Sequence, residues 1–235
     1  MTAAAKLGRF VRRIMDMKQM DFDNATWQMI YLLINPQKVY KNCMYRKRSK
    51  DQWARDDPAF LVLLSGILLL ASTLFTIVLP LSWMGLIRFT CWMFFVDFFL
   101  CGVVIATILW FFTNRYLRVV KDQEVEWGYC FDVHINSYYP MCICLHIILP
   151  LLYLPFLDRN VFLGRLLGNC IWFVAFTYYT YITFLGYTAI PFLKKTHIFL
   201  YPITFLLIFY VATVSAGWNI SMTAIAFYHD RVTTF

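Results

Sequence analysis

Three polar side chains stand inside long apolar runs: Asp97 within Phe89 to Phe112, His146 within Tyr138 to Phe156, and Asn169 within Leu166 to Tyr187. An acidic group near the middle of a membrane-spanning helix costs about 3 kcal/mol on insertion scales, so Asp97 needs a partner or a proton. His146 and Asn169 are the candidate partners, with the hydroxyls of Thr107 or Thr183 in support. Two chemistries fit such a set. One is a proton or ion relay; the other is a buried hydrogen-bonded network that holds the bundle together.

A second group, Glu126, Asp132 and His134, falls in the polar segment 113–137. These are acceptable ligands for a divalent metal. No i,i+4 pair fixes them together, however, and a loop folded against a basic surface uses the same acids, which is the preferred reading. The third group is the charge run Arg46, Lys47, Arg48 and Lys50, followed by Asp51, Trp53, Arg55 and Asp56. Fixing membrane topology requires only Lys and Arg. The interleaved acids and Trp53 therefore point to specific pairing, either within the head or with an acidic protein or the anionic cytosolic leaflet. These eight residues, with Glu126, Asp132 and His134, are the candidate docking residues.

The sequence has no Gly-rich phosphate loop, no GxSxG elbow and no Ser-His-Asp or Cys-His order with supporting context. No catalytic residue, cofactor or metal ligand is assigned. Seven cysteines occur, and Cys142-x-Cys144 alone is too little for a metal centre. None falls in an expected lumenal loop, so no disulfide framework is implied.

The elements that must position these groups follow from composition. With 61% hydrophobic, 20% aromatic and 14% charged residues in 235, the chain cannot bury its apolar surface in a soluble domain. The expectation is an all-α integral membrane protein with five transmembrane helices, at about 59–79, 89–112, 138–156, 166–187 and 198–220. Residues 1–57 form a cytosolic basic head, 113–137 a cytosolic loop, and 229–235 a short lumenal tail.

More than half of the 21 Lys and Arg precede Pro58, which places the amino terminus inside and, with five spans, the carboxyl terminus outside. The net charge of +8 thus sits beside a lipid surface. In the head, Leu7, Phe10, Val11, Ile14 and Met17 recur at helical spacing against basic residues. A helix capped by Asp23 or Asn24 and ended by Pro36 comes next, then a second short helix to Tyr45. No cleavable signal peptide is expected, so the first span acts as the signal. Pro150, Pro155 and Pro202 should kink spans three and five. The sequon at Asn24 should be cytosolic, and that at Asn219 near the lumenal boundary.

Several motifs carry a resemblance over nearly the whole chain: Gln19-Met-Asp-Phe-Asp, Asp51-Gln-Trp-Ala-Arg-Asp-Asp-Pro-Ala-Phe60, Glu126-Trp-Gly-Tyr, Phe131-Asp-Val-His134, Thr183-Phe-Leu-Gly-Tyr187, Pro191-Phe-Leu-Lys194 and Gly217-Trp-Asn219. With these the chain closely resembles the family of uncoordinated protein fifty, multispanning Golgi membrane proteins. The resemblance implies a Golgi protein that binds and recruits large guanine-nucleotide exchange factors for Arf GTPases, with animal relatives supporting delivery of nicotinic acetylcholine receptors. It also brings an RNA-binding attribution, for which no recognition module is visible here. Cys130 departs from the small residue usual before Phe-Asp-Val-His, and Tyr228-His-Asp-Arg-Val is a looser match. The family offers no catalytic residues to carry over. The alternative class is a small transporter, channel or lipid-handling protein built on Asp97, His146 and Asn169.

Overall fold

The computed structural model describes residues 18, 20–50, 53–55, 57–120, 122–157 and 161–233, and for residue 43 and residues 45–50 the backbone alone. The expected amphipathic helix over Leu7 to Met17, residues Asp51 and Asp56, and the side chains of Arg46, Lys47, Arg48 and Lys50 lie outside the described residues.

Every regular element among the described residues is a helix. In chain order they are α1 (Phe22–Ile34), α2 (Pro36–Lys50), α3 (Ala59–Val78), α4 (Trp83–Leu117), α5 (Trp127–Leu157), α6 (Phe162–Thr188), α7 (Thr196–Ser215) and α8 (Ile220–Thr233). Four of them, α3, α4, α5 and α7, are long and apolar enough to cross a membrane. Large side chains such as Ile77, Phe95, Ile108 and Phe205 face outward, the surface a lipid-facing bundle presents. The chain is therefore a multi-pass helical membrane protein. At 27 residues α6 is also long enough, but its Thr177-Tyr-Tyr-Thr-Tyr181 run lowers its mean hydropathy.

Helix starts obey local chemistry. Asp21, ahead of the expected Asp23 or Asn24, caps α1: its side chain accepts a hydrogen bond from the Asn24 N–H. Ser82 does the same for α4 through the Gly85 N–H. The second head helix continues past Tyr45 to Lys50. Instead of beginning at Tyr138, the helix expected as span three starts at Trp127. Its first turns looked too polar for a span because they carry Asp132, His134, Asn136 and Ser137, yet each finds a partner inside the protein. Ser137, for example, donates to the Val133 carbonyl at 2.8 Å and lies 3.1 Å from the Thr183 hydroxyl.

Near Pro140, Pro150 and Pro155, α5 widens into π turns at Ile143–Ile148 and Tyr153–Leu157. Pro202 does not interrupt a span; it begins the α-helical part of α7 after a 3-10 turn, where its missing N–H is not needed.

At its far end α7 closes in a Schellman motif. Gly217 takes φ +75°, Trp218 N–H reaches the Thr213 carbonyl at 2.9 Å, and Gly217 N–H reaches Val214 at 3.2 Å. The chain then turns into α8, so the segment after residue 220 is mostly a packed helix. It starts against Gly168 of α6, where a Cβ would come within 2.8 Å of Ser221 Oγ, and ends with Val232 beside Gly85 of α4. Both contacts lie at the end of the bundle away from the head.

The opposite end is closed by a small core of its own. Trp53, Leu117, Val125, Tyr129, Phe192 and Phe199 pack together there. Asn114 zips the loop after α4, accepting from Val125 N–H at 2.9 Å and donating to the Val125 carbonyl at 3.1 Å. An exposed Arg118–Glu124 pair at 3.0 Å and backbone bonds from Val119 to Phe192 and from Lys194 to Leu117 complete the closure.

Arg55 joins the head to this core. Its side chain is only 6% exposed. The backbone N–H donates to Asp132 Oδ2, Nη2 donates to Asn136 Oδ1 at 2.7 Å and to Gln28 Oε1 at 3.4 Å, and Nε lies 3.8 Å from Asp132 Oδ1. The guanidinium also covers the Phe60 ring at 4.2 Å. Next to it, Asp57 accepts from Ala59 N–H at the start of α3 and from Asp21 N–H at the start of α1, both at 2.9 Å. On the other side of the head, Tyr178 of α6 donates to the Leu32 and Leu33 carbonyls at 2.9 and 3.0 Å, satisfying acceptors at the end of α1.

Removing one member of a buried ion pair typically costs about 3–5 kcal/mol, because the other charge is left uncompensated. Arg55→Ala and Asp132→Ala should each lower the thermal unfolding midpoint of the detergent-solubilised protein strongly, and the double variant should lose less than the sum. Additive losses would show that the two groups are not coupled. Asn219 is 5% exposed, accepts from Met222 N–H at 3.2 Å and donates to the Leu157 carbonyl at 3.3 Å. Its sequon should therefore carry no glycan, and endoglycosidase treatment should leave the mobility of cell-expressed protein unchanged. A shift that Asn219→Gln abolishes would contradict this placement.

Candidate functional site

Asp97 sits on a π turn, Met93–Leu100, within α4, and His146 sits on another, Ile143–Ile148, within α5. Such turns widen the helix, break the regular ladder and recur at functional sites. Both residues line a cavity of about 270 Å³ bordered by α3, α4, α5, α6 and α8. Further polar groups come from Cys101, His134, Tyr138, Tyr179, Tyr228 and the indole N–H of Trp172, and much of its wall is aromatic or aliphatic, including Phe75, Leu149 and Phe176.

The partner of Asp97 is neither His146 nor Asn169. Tyr228 of α8 donates to Asp97 Oδ2 at 2.9 Å. The carboxyl-terminal helix thus reaches back to satisfy the acid, from beyond the last expected span at about 198–220. Tyr228 also packs edge-on against Phe75 and Phe89, with ring centroids at 5.8 and 5.4 Å. His146 is near enough to share the cavity, its ring 6.4 Å from that of Tyr228, but its Nδ1 has no hydrogen-bond partner.

Asn169 belongs to a different structure. Its amide donates to the Trp218 carbonyl at 2.9 Å and to Thr213 Oγ1 at 3.2 Å, and its oxygen accepts from Ile220 N–H at 3.0 Å. It is a clamp on the turn between α7 and α8. In this way Asn169 sets the position of the helix that carries Tyr228. That role is indirect, and it removes Asn169 from the group around Asp97.

His134 moves the other way. Expected in a cytosolic loop with Glu126 and Asp132, it is 3% exposed on α5 and lines the same cavity as Asp97. Nδ1 and the Tyr179 hydroxyl share a hydrogen bond of 2.8 Å, and Nε2 has no partner. The ring fits only because residue 102 is glycine: a Cβ there would lie 2.6 Å from His134 Cδ2. Neither Tyr228 nor Gly102 was marked by the sequence. A tyrosine within an apolar run signals nothing alone, and the close approach depends on how α4 and α5 cross.

The docking candidates divide into two sets. Trp53 is 8% exposed and packs on Tyr129 with ring centroids at 5.7 Å; Arg55 and Asp132 are bound to each other. These three face inward, so they are part of the support and not of an open surface. Asp132 with Arg55 pairs an acid of the segment 113–137 with the head. Glu126 stands at the amino-terminal boundary of α5, partly exposed. Among the described residues, no group of three His, Cys, Asp or Glu side chains could hold a metal ion, and Glu126, Asp132 and His134 do not converge on one.

Comparison with known proteins places this architecture. The sequence model of the UNC-50 family matches residues 10–229. Protein unc-50 of Caenorhabditis elegans is 59% identical over 231 residues, covering 98% of this chain and 77% of that protein. Unc-50 homolog A of Xenopus laevis is 48% identical and the human unc-50 homolog 47%, each over 233 residues that cover 98% of this chain and 90% of the relative. No solved structure is significantly similar to the chain. A match over nearly the full length, at identities far above those that merely suggest a common fold, means that the chain belongs to the UNC-50 family.

Proposed function

We propose that this protein is a non-enzymatic Golgi membrane adaptor that binds large guanine-nucleotide exchange factors for Arf GTPases and so supports vesicle traffic. Delivery of receptor cargo such as nicotinic acetylcholine receptors to the cell surface would result from that role. The Golgi location, the exchange-factor partner and the receptor cargo come from the family resemblance; contact with the anionic cytosolic leaflet comes from the charge of the head. RNA binding, attributed to some relatives, gains no support from the fold.

The adaptor reading rests on how the basic stretch is mounted. The backbone from Pro36 to Lys50 is one helix that carries Arg46, Lys47, Arg48 and Lys50 near its end. Before the stretch, Val39 and Tyr40 are buried in the main core; after it, Trp53 and Arg55 are buried in the closure. Both flanks are thus fixed to the bundle, and the charge is presented on a support that costs little ordering entropy when a partner binds. In this reading the head faces the cytosol, the carboxyl terminus the lumen, and α6 provides the fifth crossing.

The proposed docking residues are then Arg46, Lys47, Arg48 and Lys50, with Asp51 and Asp56 close by in sequence and Glu126 at the amino-terminal boundary of α5. Trp53, Arg55 and Asp132 act from below by holding them in place. Replacing the four basic residues with Gln should reduce recovery of a large Arf exchange factor from gently solubilised Golgi membranes by about tenfold or more, the loss of a few partly screened charge contacts. Asp97→Asn, inside the bundle, should leave recovery unchanged. Equal recovery with wild type and the four-Gln variant, both localised to the Golgi, would remove this surface from the mechanism.

A further inference from the structure

The cavity around Asp97 has more polar capacity than the protein itself uses. We propose that it binds a small lipophilic primary amine, with the ammonium group at Asp97 and the apolar body against the aromatic wall. This goes beyond the adaptor reading and does not depend on it.

The hydrogen bond that Asp97 receives at 2.9 Å comes from a neutral tyrosine hydroxyl, and no Lys or Arg is among the described residues lining the cavity. Without a cationic partner an acid in a membrane span holds its proton, and a basic amine entering the cavity takes up that proton and leaves the paired carboxylate and ammonium. Four further polar atoms on the same walls are idle: the Tyr138 hydroxyl, His146 Nδ1, His134 Nε2 and Trp172 Nε1. The Tyr138 hydroxyl is on a side chain 1% exposed and His146 Nδ1 on one 5% exposed, and neither has a partner. A network serving only to hold helices together would satisfy its members against one another.

An ammonium group supplies three N–H donors and a positive charge, while a carboxylate, a tyrosine oxygen and an unprotonated imidazole nitrogen are acceptors. Aromatic faces from Phe75, Trp172 and Phe176 complete surroundings of the kind that hold organic cations. A fatty acid would bring a second carboxylate beside Asp97, and an alcohol is not basic enough to take the proton of the acid.

Size and access narrow the class further. Ligand pockets generally run from about 300 Å³ upward, so a cavity of about 270 Å³ suits a small molecule and not a two-chain lipid. Cys101 and Phe176, which line it, are exposed on the sides of α4 and α6. Since α4 meets lipid along its length, entry from the bilayer favours a ligand with an apolar body. Tyr228 and Ile225 close the cavity from α8.

The test uses the full chain in lipid nanodiscs and three radiolabelled probes that share one tail: octylamine, octanol and octanoate. Retention is measured by equilibrium dialysis, with protein-free nanodiscs subtracted to remove simple partition. Wild-type protein should retain octylamine about tenfold or more above the other two, the scale expected for a hydrogen bond to a charged group. Asp97→Asn should bring octylamine down to the octanol level, and Tyr138→Phe should weaken it by a smaller factor. Equal retention of all three probes, or no retention above nanodiscs, would overturn the proposal. So would octylamine retention unaffected by Asp97→Asn. The comparison of head groups on wild-type protein decides the matter even where the Asn variant does not fold.

Discussion

A guanidinium taken out of water needs an opposite charge and acceptors close by, and the position of Arg55 fixes where the head sits. Its contacts reach Gln28 on α1, Asp132 and Asn136 on α5, and the Phe60 ring at the start of α3. Three elements distant in sequence are thereby brought to one point, and Asp57 ties the first residues of α1 and α3 together beside it. The geometry is demanding because a misplaced partner leaves a buried charge. These contacts make the head part of the bundle, with Trp53 buried in the same closure that holds the loops after α4 and α6.

The same logic governs the interior. In hydrocarbon a polar group without a partner is costly, and here the partners of Asp97 and His134 come from unexpected directions. Asp97 is met by Tyr228 from the last helix, and that helix is in turn held by Asn169 through the turn after α7. His134 is met by Tyr179, and Gly102 gives its ring room. Polar side chains scattered over α4, α5 and α6 thus form two assemblies: a cavity at Asp97 and a clamp at Asn169. The acid, the two imidazoles and the tyrosines share one space, whereas the asparagine shapes that space from outside it.

Much of this was legible in the sequence, and the limits have physical causes. The apolar runs announced helices, the Asp-Pro before Ala59 announced the start of α3, and the mixture of charges around Trp53 announced specific pairing. The start of α5 was not legible, because a hydropathy window treats Asp132 and Asn136 as water-facing until Arg55 is known to lie beside them. The helical nature of the carboxyl-terminal segment was hidden for a related reason: Tyr228-His-Asp-Arg-Val looks like a polar ending, while Tyr228 and Val232 face the bundle. Long-range partners of this kind leave no local pattern. Family membership could be read from short motifs, and those motifs coincide with the closure: Trp53, Arg55, Tyr129, Asp132 and Tyr187 are all among its packed or hydrogen-bonded residues.

If Arg55 is the joint on which the head depends, the amides of α1 and of the first turns of α5 should open together. Hydrogen exchange measured by mass spectrometry, on the protein in nanodiscs, reads this directly. Exchange should be slow over residues 22–34 and 131–137 in the wild type, and faster in both segments together in Arg55→Ala, with α7 unchanged. Rapid exchange over residues 22–34 already in the wild type, or acceleration of one segment without the other, would contradict the coupling of head and bundle through a single buried guanidinium.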